Sequence, residues 1–101
     1  MEEAEMRVVW TKTALRRLQE ILFYIQEEFG DNAKMQFQSR ARDFTGLLPD
    51  FPEMGTLEIK AKNLRAFQLT KQTRVYYRVK VGRITILTFF DSRQDQRKRP
   101  S

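Results

Sequence analysis

The sequence predicts an α+β domain with the element order β-α-α-β-β-β, in which an antiparallel sheet packs against a two-helix hairpin. Apolar residues recur at spacings of three and four on both sides of Gly30, which is the period of amphipathic helices. After a break that contains Pro49, Pro52 and Gly55, three runs rich in β-branched and aromatic residues follow. Such runs are typical of strands.

A short strand is predicted over residues 6–10, because Val8, Val9 and Trp10 favour an extended backbone. Thr11 follows as the N-cap of the first helix, and Gly30 ends that helix in the C′ position. The apolar stripe between them predicts one buried helix face. Its members are Ala14, Leu15, Leu18, Ile21, Leu22, Ile25 and Phe29.

The second helix starts almost at once, with Asp31 or Asn32 as its N-cap. Because the connection at Gly30 is so short, the two helices are expected to form an antiparallel hairpin. The prolines and glycine of residues 48–55 prevent the helix from continuing. The second stripe consists of Ala33, Phe37, Ala41, Phe44, Leu47 and Leu48.

Three strands are predicted over residues 64–70, 74–81 and 83–90, with Gly82 in the tight turn between the last two. The central strand alternates clearly, so its two faces differ in character. One face is expected to pack on the helices and the other to be basic. The first carries Val75, Tyr77, Val79 and Val81, and the second carries Arg74, Tyr76, Arg78 and Lys80.

The chain of 101 residues fits one domain. We expect a disordered acidic leader at 1–5, one folded domain at 6–94 and a basic tail at 95–101. The acidic start has none of the features of a signal peptide, and no apolar run approaches the roughly 20 residues that a membrane span needs. The sequence therefore predicts a cytoplasmic protein with no membrane partner.

The chain contains no cysteine and no histidine. This composition excludes disulfides, thiolate nucleophiles, imidazole bases and the two commonest ligands of transition metals. We expect no metal site and no cofactor. Any catalysis must use Lys, Arg, Tyr or carboxylates.

The net charge of +6 is unevenly distributed along the chain. Residues 1–59 carry 7 Lys or Arg and 11 Asp or Glu, whereas residues 60–101 carry 12 Lys or Arg and 2 Asp or Glu. A basic region of this kind attracts phosphate backbones or acidic protein surfaces. The alternative is a merely well-solvated surface.

Six residues of the predicted sheet are expected to converge on one concave surface. Arginines there can bind phosphate or carboxylate, and aromatic rings between them can stack on bases or fill an apolar pocket. For Arg78 and Lys80, and also for Arg74 and Arg93, the alternative is an ordinary solvated surface. The six are Arg65, Phe67, Arg74, Tyr76, Arg78 and Arg93.

Other aromatic and acidic side chains are interpreted as structural. Trp10, Phe89 and Phe90 are expected to pack in the core, as aromatic residues of short strands in small domains usually do. Glu27, Glu28 and Asp91 are expected to face solvent, because the two adjacent glutamates diverge by roughly 100° around a helix. None of these residues is assigned to a site.

Several short segments, in this order and spacing from Met6 to about Lys98, carry a resemblance to a known family. The segments are Val9-Trp10-Thr11, Tyr24-Ile25 before Phe29-Gly30, Phe51-Pro52-Glu53-Met54-Gly55, Leu64-Arg65-Ala66-Phe67, Arg74-Val75-Tyr76-Tyr77-Arg78-Val79 and Ile84-Thr85-Ile86-Leu87. Together they resemble the RelE/ParE toxin superfamily of type II toxin–antitoxin systems, which includes plasmid stabilisation proteins. The resemblance implies a toxin that a cognate antitoxin neutralises, with operator DNA reached only through the antitoxin.

The two branches of this superfamily imply different chemistry. A ParE-like toxin binds DNA gyrase without being a nuclease. A RelE-like toxin cleaves messenger RNA on the ribosome, and Arg65, Arg74 and Arg93 resemble its phosphate-binding residues. In some relatives an acidic residue supplies the base, which would be Glu58 here; the alternative is that Glu58 is a solvated loop residue. However, Phe67 stands where that branch has a lysine, and no Tyr or His follows Phe90.

Arginine stays protonated at neutral pH and is a poor general base, so the nuclease set is incomplete. The leading hypothesis is therefore a growth-inhibiting toxin that binds gyrase, neutralised by an antitoxin laid across the helices and the sheet. The competing hypothesis is a ribosome-dependent messenger RNA endoribonuclease. A third is an inactive member that keeps only the binding of its partner.

Overall fold

The computed structural model describes residues 6–93, and within them the chain forms two helices and five strands. The sequence predictions for the leader at 1–5 and the tail at 95–101 lie outside the described residues. The elements are β1 (Arg7–Trp10), α1 (Lys12–Phe29), α2 (Asp31–Leu47), β2 (Thr56–Ile59), a 3-10 helix (Lys60–Lys62), β3 (Leu64–Gln68), β4 (Thr73–Lys80) and β5 (Arg83–Asp91).

The five strands form one sheet in the order β1-β5-β4-β3-β2. Strand β1 runs parallel to β5, and all the other neighbours are antiparallel. The predicted α+β fold, with two helices packed on a mainly antiparallel sheet, is confirmed. The element order differs from the prediction by one strand, β2, whose four residues are all exposed at the edge of the sheet. Its four residues, Thr56 to Ile59, alternate polar and apolar side chains, but the run is short and follows directly on the segment broken by Pro52 and Gly55.

The helix ends follow from single residues. Thr11 caps α1, because its Oγ1 accepts a hydrogen bond from Ala14 N at 2.9 Å. Gly30 ends α1 with φ 94, and its N–H donates to Gln26 O at 3.0 Å. The predicted N-cap of α2 is wrong, since Asp31 is already helical and Gly30 occupies the cap position. One glycine in the left-handed region therefore reverses the chain without a separate capping residue.

The core lies between the two helices and one face of the sheet. Its buried members come from every layer: Ala14, Ile21, Leu22, Ile25, Phe37, Ala41, Phe44, Leu48, Leu69, Val75, Tyr77, Ile84, Ile86 and Phe89. Most of both predicted stripes is thus confirmed. Leu15, Phe29 and Leu47 are exceptions, since all three are exposed. They lie at the margins of the stripes, where the sheet does not reach.

Strand register separates the two faces of the sheet. Residues paired directly across antiparallel strands share a face, and Tyr77 pairs with Ile86, both fully buried under the helices. We call the opposite side the open face. It carries Arg74, Tyr76, Arg78 and Lys80 of β4, their β5 partners Phe90, Thr88, Thr85 and Arg83, and Arg7 and Val9 of β1. The predicted alternation is confirmed except at Val81, which lies fully exposed in the turn before Gly82.

Candidate binding surface on the open face of the sheet

The open face is rich in cations because one strand supplies a basic residue at almost every outward position. Strand β4 contributes Arg74, Arg78 and Lys80, its neighbour β5 adds Arg83, and β1 beyond β5 adds Arg7. Alternation along a strand places such residues about 7 Å apart on one side. These five basic side chains therefore lie on one side of the sheet.

Arg74 is held across the ring of its neighbour. Its Cζ lies 5.6 Å from the centroid of the Tyr76 ring, and its Nη2 lies 3.4 Å from Glu58 Oε2 in β2. Both charged side chains are about one-third exposed, so water screens the pair and its contribution to stability is small. The contact orients the guanidinium of Arg74 and contributes little to the stability of the fold.

Two of these arginines keep unused donors. The Nε atoms of Arg74 and Arg78 are buried and have no hydrogen-bond partner among residues 6–93. A guanidinium is a planar fork that matches a carboxylate or phosphate with two donors at once. Arg74, Tyr76 and Arg78 thus form the part of the predicted site that the structure brings together.

Arg65 lies on the other face, which corrects the expectation that it joins this surface. It pairs with Tyr77, so its side chain is on the helix side, and its Nη1 donates to Gly55 O at 2.7 Å. The Tyr77 hydroxyl accepts from Gly55 N at 2.8 Å and donates to Pro52 O at 2.9 Å. Arg65 therefore fastens the loop after α2 to the sheet.

Phe67 is also on the helix side. It pairs with Val75, and its ring stacks on that of Phe44 at a centroid distance of 4.8 Å. Because alternate residues of a strand point to the same side, Phe67 must share the side of Arg65. Both pair with inward-facing residues of β4, so both lie on the face opposite to Arg74. The prediction that Arg65 and Phe67 share one face was right, but the face is the packed one.

Arg93 is bound to a buried carboxylate. Its Nε donates to Asp91 Oδ1 at 3.2 Å and its Nη2 to Asp91 Oδ2 at 3.0 Å. Thr73 Oγ1 donates to the same carboxylate at 2.7 Å, and the guanidinium lies over the rings of Tyr24 and Phe29 in α1. The expectation that Asp91 faces solvent is wrong, since it pairs with Thr73 on the inner face of the sheet.

The three arginines suggested as a nuclease set are therefore dispersed. Arg65 and Arg93 face the helices at separate places, bound to Gly55 and Asp91, whereas Arg74 is on the open face. Arg7 was not predicted as a member of the surface, because the parallel pairing of β1 with β5 that places it there has no local signal in the sequence. Arg83 was also missed, although it pairs with Lys80 across the predicted turn at Gly82.

The structural roles of the aromatic residues are mostly as predicted. Trp10 stacks on the buried Phe89 at 5.6 Å, so the interpretation of both as core residues is confirmed. Phe90 is instead exposed on the open face, opposite Arg74. Because adjacent residues of a strand point to opposite sides, Phe90 must face outward when Phe89 is buried.

Within residues 6–93 the structure contains neither a metal-binding cluster nor a membrane-spanning helix. No group of three or more acidic side chains there is arranged to hold a metal ion. No helix in the same range has the length and apolar character needed to cross a membrane.

Comparison with known proteins identifies one matching family model, the ParE toxin of the type II toxin–antitoxin system parDE, over residues 8–96. No curated protein sequence matches. Among solved structures, a chain of the chromosomal ParDE system from P. aeruginosa is similar with a TM-score of 0.72 and 19% identity, covering 88% of this chain and 98% of that chain.

Two further structures share the fold at lower similarity. A YoeB/ParE toxin from Agrobacterium tumefaciens has a TM-score of 0.58 and 15% identity, over 85% of this chain and 98% of that one. The YoeB dimer from Staphylococcus aureus has a TM-score of 0.57 and 12% identity, over 86% and 97%. At these identities the likeness concerns the fold alone.

Proposed function

Because the chain belongs to the ParE toxin family of type II toxin–antitoxin systems, we propose that it inhibits growth by binding DNA gyrase through the open face of its sheet. The observation that carries the proposal is the dispersal of Arg65, Arg74 and Arg93 over both faces. A binding surface needs only a cluster of cations, whereas phosphodiester cleavage needs phosphate-binding and proton-transfer groups around one bond.

The chemistry of the open face suits an acidic protein surface. Arg74 and Arg78 place partly exposed guanidinium groups on either side of Tyr76, and interfaces are typically centred on arginine and tyrosine residues of this kind. Glu58, which already lies beside Arg74, stands where a carboxylate of the target would bind. The proposed interface is therefore centred on Arg74, Tyr76 and Arg78.

The cognate antitoxin that the family implies is proposed to lie across the helices and the sheet. The helix layer offers large apolar side chains to such a partner, because several are exposed: Leu15, Phe23, Phe29, Met35 and Leu47. Apolar groups exposed together favour protein contacts. An antitoxin that also reached the open face would cover the surface proposed for gyrase.

Inhibition of supercoiling by purified gyrase tests the proposal. The full chain should inhibit the enzyme, and Arg74→Ala or Arg78→Ala should weaken inhibition at least about tenfold, the effect of losing one central interface residue. Arg42→Ala is the matched control, since Arg42 is an exposed arginine of α2 on the other side of the molecule. Unimpaired supercoiling in the presence of excess wild-type protein would refute gyrase as the target.

A second candidate function, ribosome-dependent cleavage of messenger RNA, is favoured by one observation. The Glu58 carboxylate lies 3.4 Å from Arg74 on the open face, so a base for the 2′-hydroxyl and a cation for the phosphate are adjacent. Programmed ribosomes with the added protein test this candidate. Codon-phased cleavage that Glu58→Gln abolishes would establish it, and intact messenger would exclude it.

Strong induction of the isolated protein in cells separates both candidates from the inactive alternative. Growth arrest with altered plasmid supercoiling is expected for the gyrase proposal, and growth arrest with messenger cleavage for the second candidate. Normal colony growth would show that the chain retains the toxin fold without toxicity.

A further inference from the structure

Three cations stand in one row across the end of the sheet where β4 turns into β5. Lys80 pairs directly with Arg83 across the hairpin, and Arg83 pairs with Arg7 of β1. All three side chains are exposed. Like charges placed directly opposite each other on one sheet face lower the stability of the fold. Their arrangement is therefore unfavourable for the isolated protein.

Two more cations adjoin this row. A surface depression of about 400 Å³ is lined by Lys62, Arg78 and Lys80. Asn63 holds the 3-10 helix there, since its Nδ2 donates to Val79 O at 2.8 Å and its carbonyl accepts from Val79 N at 3.2 Å. Lys62 is thereby fixed beside β4.

We call this group the cationic end of the sheet. Its members are Arg7, Lys62, Arg78, Lys80 and Arg83. Within residues 6–93 none of the five forms an ion pair. Repulsion that no carboxylate of residues 6–93 compensates is the arrangement expected when the compensating anion belongs to a partner.

We propose that the cationic end binds the phosphate backbone of duplex DNA, so that the protein contacts a DNA segment held by gyrase as well as gyrase itself. The contact with DNA held by gyrase rests on the proposed function, whereas the binding of duplex DNA by the protein alone does not. Duplex DNA carries one negative charge per roughly 1.7 Å of its axis. The row from Lys80 to Arg7 crosses three strands and spans about 10 Å, so it faces several phosphates at once.

The residue types at the cationic end favour duplex DNA over single-stranded nucleic acid. Proteins that bind single-stranded nucleic acid stack its bases on exposed aromatic rings, and the cationic end contains no aromatic residue. The nearest ring along β4, Tyr76, lies beneath the guanidinium of Arg74. Contacts from cations alone suit a duplex, in which the bases are stacked inside and the phosphates are outside.

Fluorescence anisotropy of a labelled duplex, measured with the purified full chain and without gyrase, tests the proposal. The logarithm of the binding constant should fall with the logarithm of the salt concentration with a slope at least as steep as about −4.5, as expected for five cations. Arg83→Ala should reduce the steepness by about one unit at any DNA sequence. Arg42→Ala, the matched helix variant, should leave the slope unchanged.

A charge reversal gives a second readout that a purely structural residue would not produce. Arg83→Glu replaces two repulsive pairs, with Lys80 and Arg7, by two attractive ones. We expect its melting temperature to rise by about 4 °C, while its affinity for the duplex falls at least about tenfold. Arg42→Glu should change neither quantity to this extent.

Three results would overturn the proposal. They are a binding constant that does not depend on salt, an Arg83→Ala variant that binds the duplex as wild type does, and tighter binding to single-stranded DNA or to vesicles of anionic phospholipid than to the duplex. Because these assays contain no gyrase, their failure is distinguishable from failure of the gyrase proposal, which the supercoiling assay reports separately.

Discussion

At the scale of single residues, Gly55 and Tyr77 show how one loop is fixed to the sheet. A Cβ on Gly55 would lie 2.8 Å from both Ala66 O and Tyr77 Oη, so any side chain there forces backbone or a buried ring to move. Only glycine allows this approach. The sequence indicated a break in this segment, but the reason for Gly55 is visible only in the packing.

Gly55→Ala should destabilise the protein by about 1–3 kcal/mol, the usual effect of overpacking a rigid site. Gly46→Ala is the matched control, because a Cβ on Gly46, within α2, meets nothing within 4 Å. It should raise stability by about 0.5 kcal/mol, since alanine favours a helix more than glycine does. Urea unfolding of both variants measures the difference, and equal stabilities would contradict the packing argument.

Tyr77 should make stability depend on pH in the alkaline range. Burial raises the pKa of Tyr77 above its ordinary value of 10.0, and the Gly55 N–H and the Arg65 charge oppose only part of that rise. The folded state therefore keeps its phenol proton when the unfolded chain has lost it. The contribution of Tyr77 to the free energy of unfolding is constant below pH 10 and falls as the pH rises through the interval up to the folded pKa.

Comparison with Tyr77→Phe isolates this effect from other alkaline titrations. The variant loses its bonds to Gly55 and Pro52 and should be less stable by about 1–3 kcal/mol at neutral pH. The difference in the free energy of unfolding between wild type and variant should become smaller above pH 10. A difference that grows there would mean that the phenolate is stabilised in the folded state.

At the scale of elements, Asp91 joins the end of β5 to β4 and to α1. Its side chain is fully buried and receives hydrogen bonds from Thr73 and Arg93, and Arg93 in turn covers Tyr24 and Phe29. A buried carboxylate of this kind holds three elements together through one charge. Arg93 is accordingly a residue of the fold in this structure rather than a member of the open face.

Asp91→Asn should reduce the free energy of unfolding by about 3 kcal/mol, because it leaves the largely buried Arg93 without its anion. Asp43→Asn, an exposed change of the same charge in α2, is the control and should have little effect. Thermal unfolding measures both. Indistinguishable melting temperatures would show that Asp91 does not anchor these elements.

The burial of each strand explains whether the sequence predicted it. Strands β3, β4 and β5 are half buried, and their alternation follows directly from facing a core on one side. Strand β2 lies at the edge with every residue exposed, so no core contact accompanies its short alternation and its position depends on pairing with β3. Its bulge between Leu57 and Ile59 has no local sequence signal either.

At the scale of the whole molecule, the sheet connects the two ends of the described chain. Strand β1 pairs in parallel with β5 at its side, and the single tryptophan, Trp10, stacks there on Phe89. Arg7 N also donates to Gly82 O and Thr11 N to Ile86 O, both at 3.1 Å. The N-terminal strand is thus an integral part of one sheet.

Unfolding should therefore be a single cooperative transition. Trp10 fluorescence reports the β1–β5 contact and circular dichroism reports all the helices and strands, so the two curves against urea should coincide. A fluorescence transition at lower urea than the loss of circular dichroism would show that β1 detaches first and that the sheet is not one unit.

The sequence by itself determined the α+β class, the helix hairpin at Gly30, the three internal strands and the outward direction of Arg74, Tyr76 and Arg78. These features depend on local periodicity and on single residues with restricted backbones, which neighbours along the chain reveal.

Only the tertiary structure decided that Arg65 and Phe67 face the helices, that Arg93 is bound to Asp91, and that Arg7 joins the open face. Alternation fixes which residues of one strand share a side, but the register between strands fixes which side that is. Register is a contact between distant segments, and it is set when the core forms.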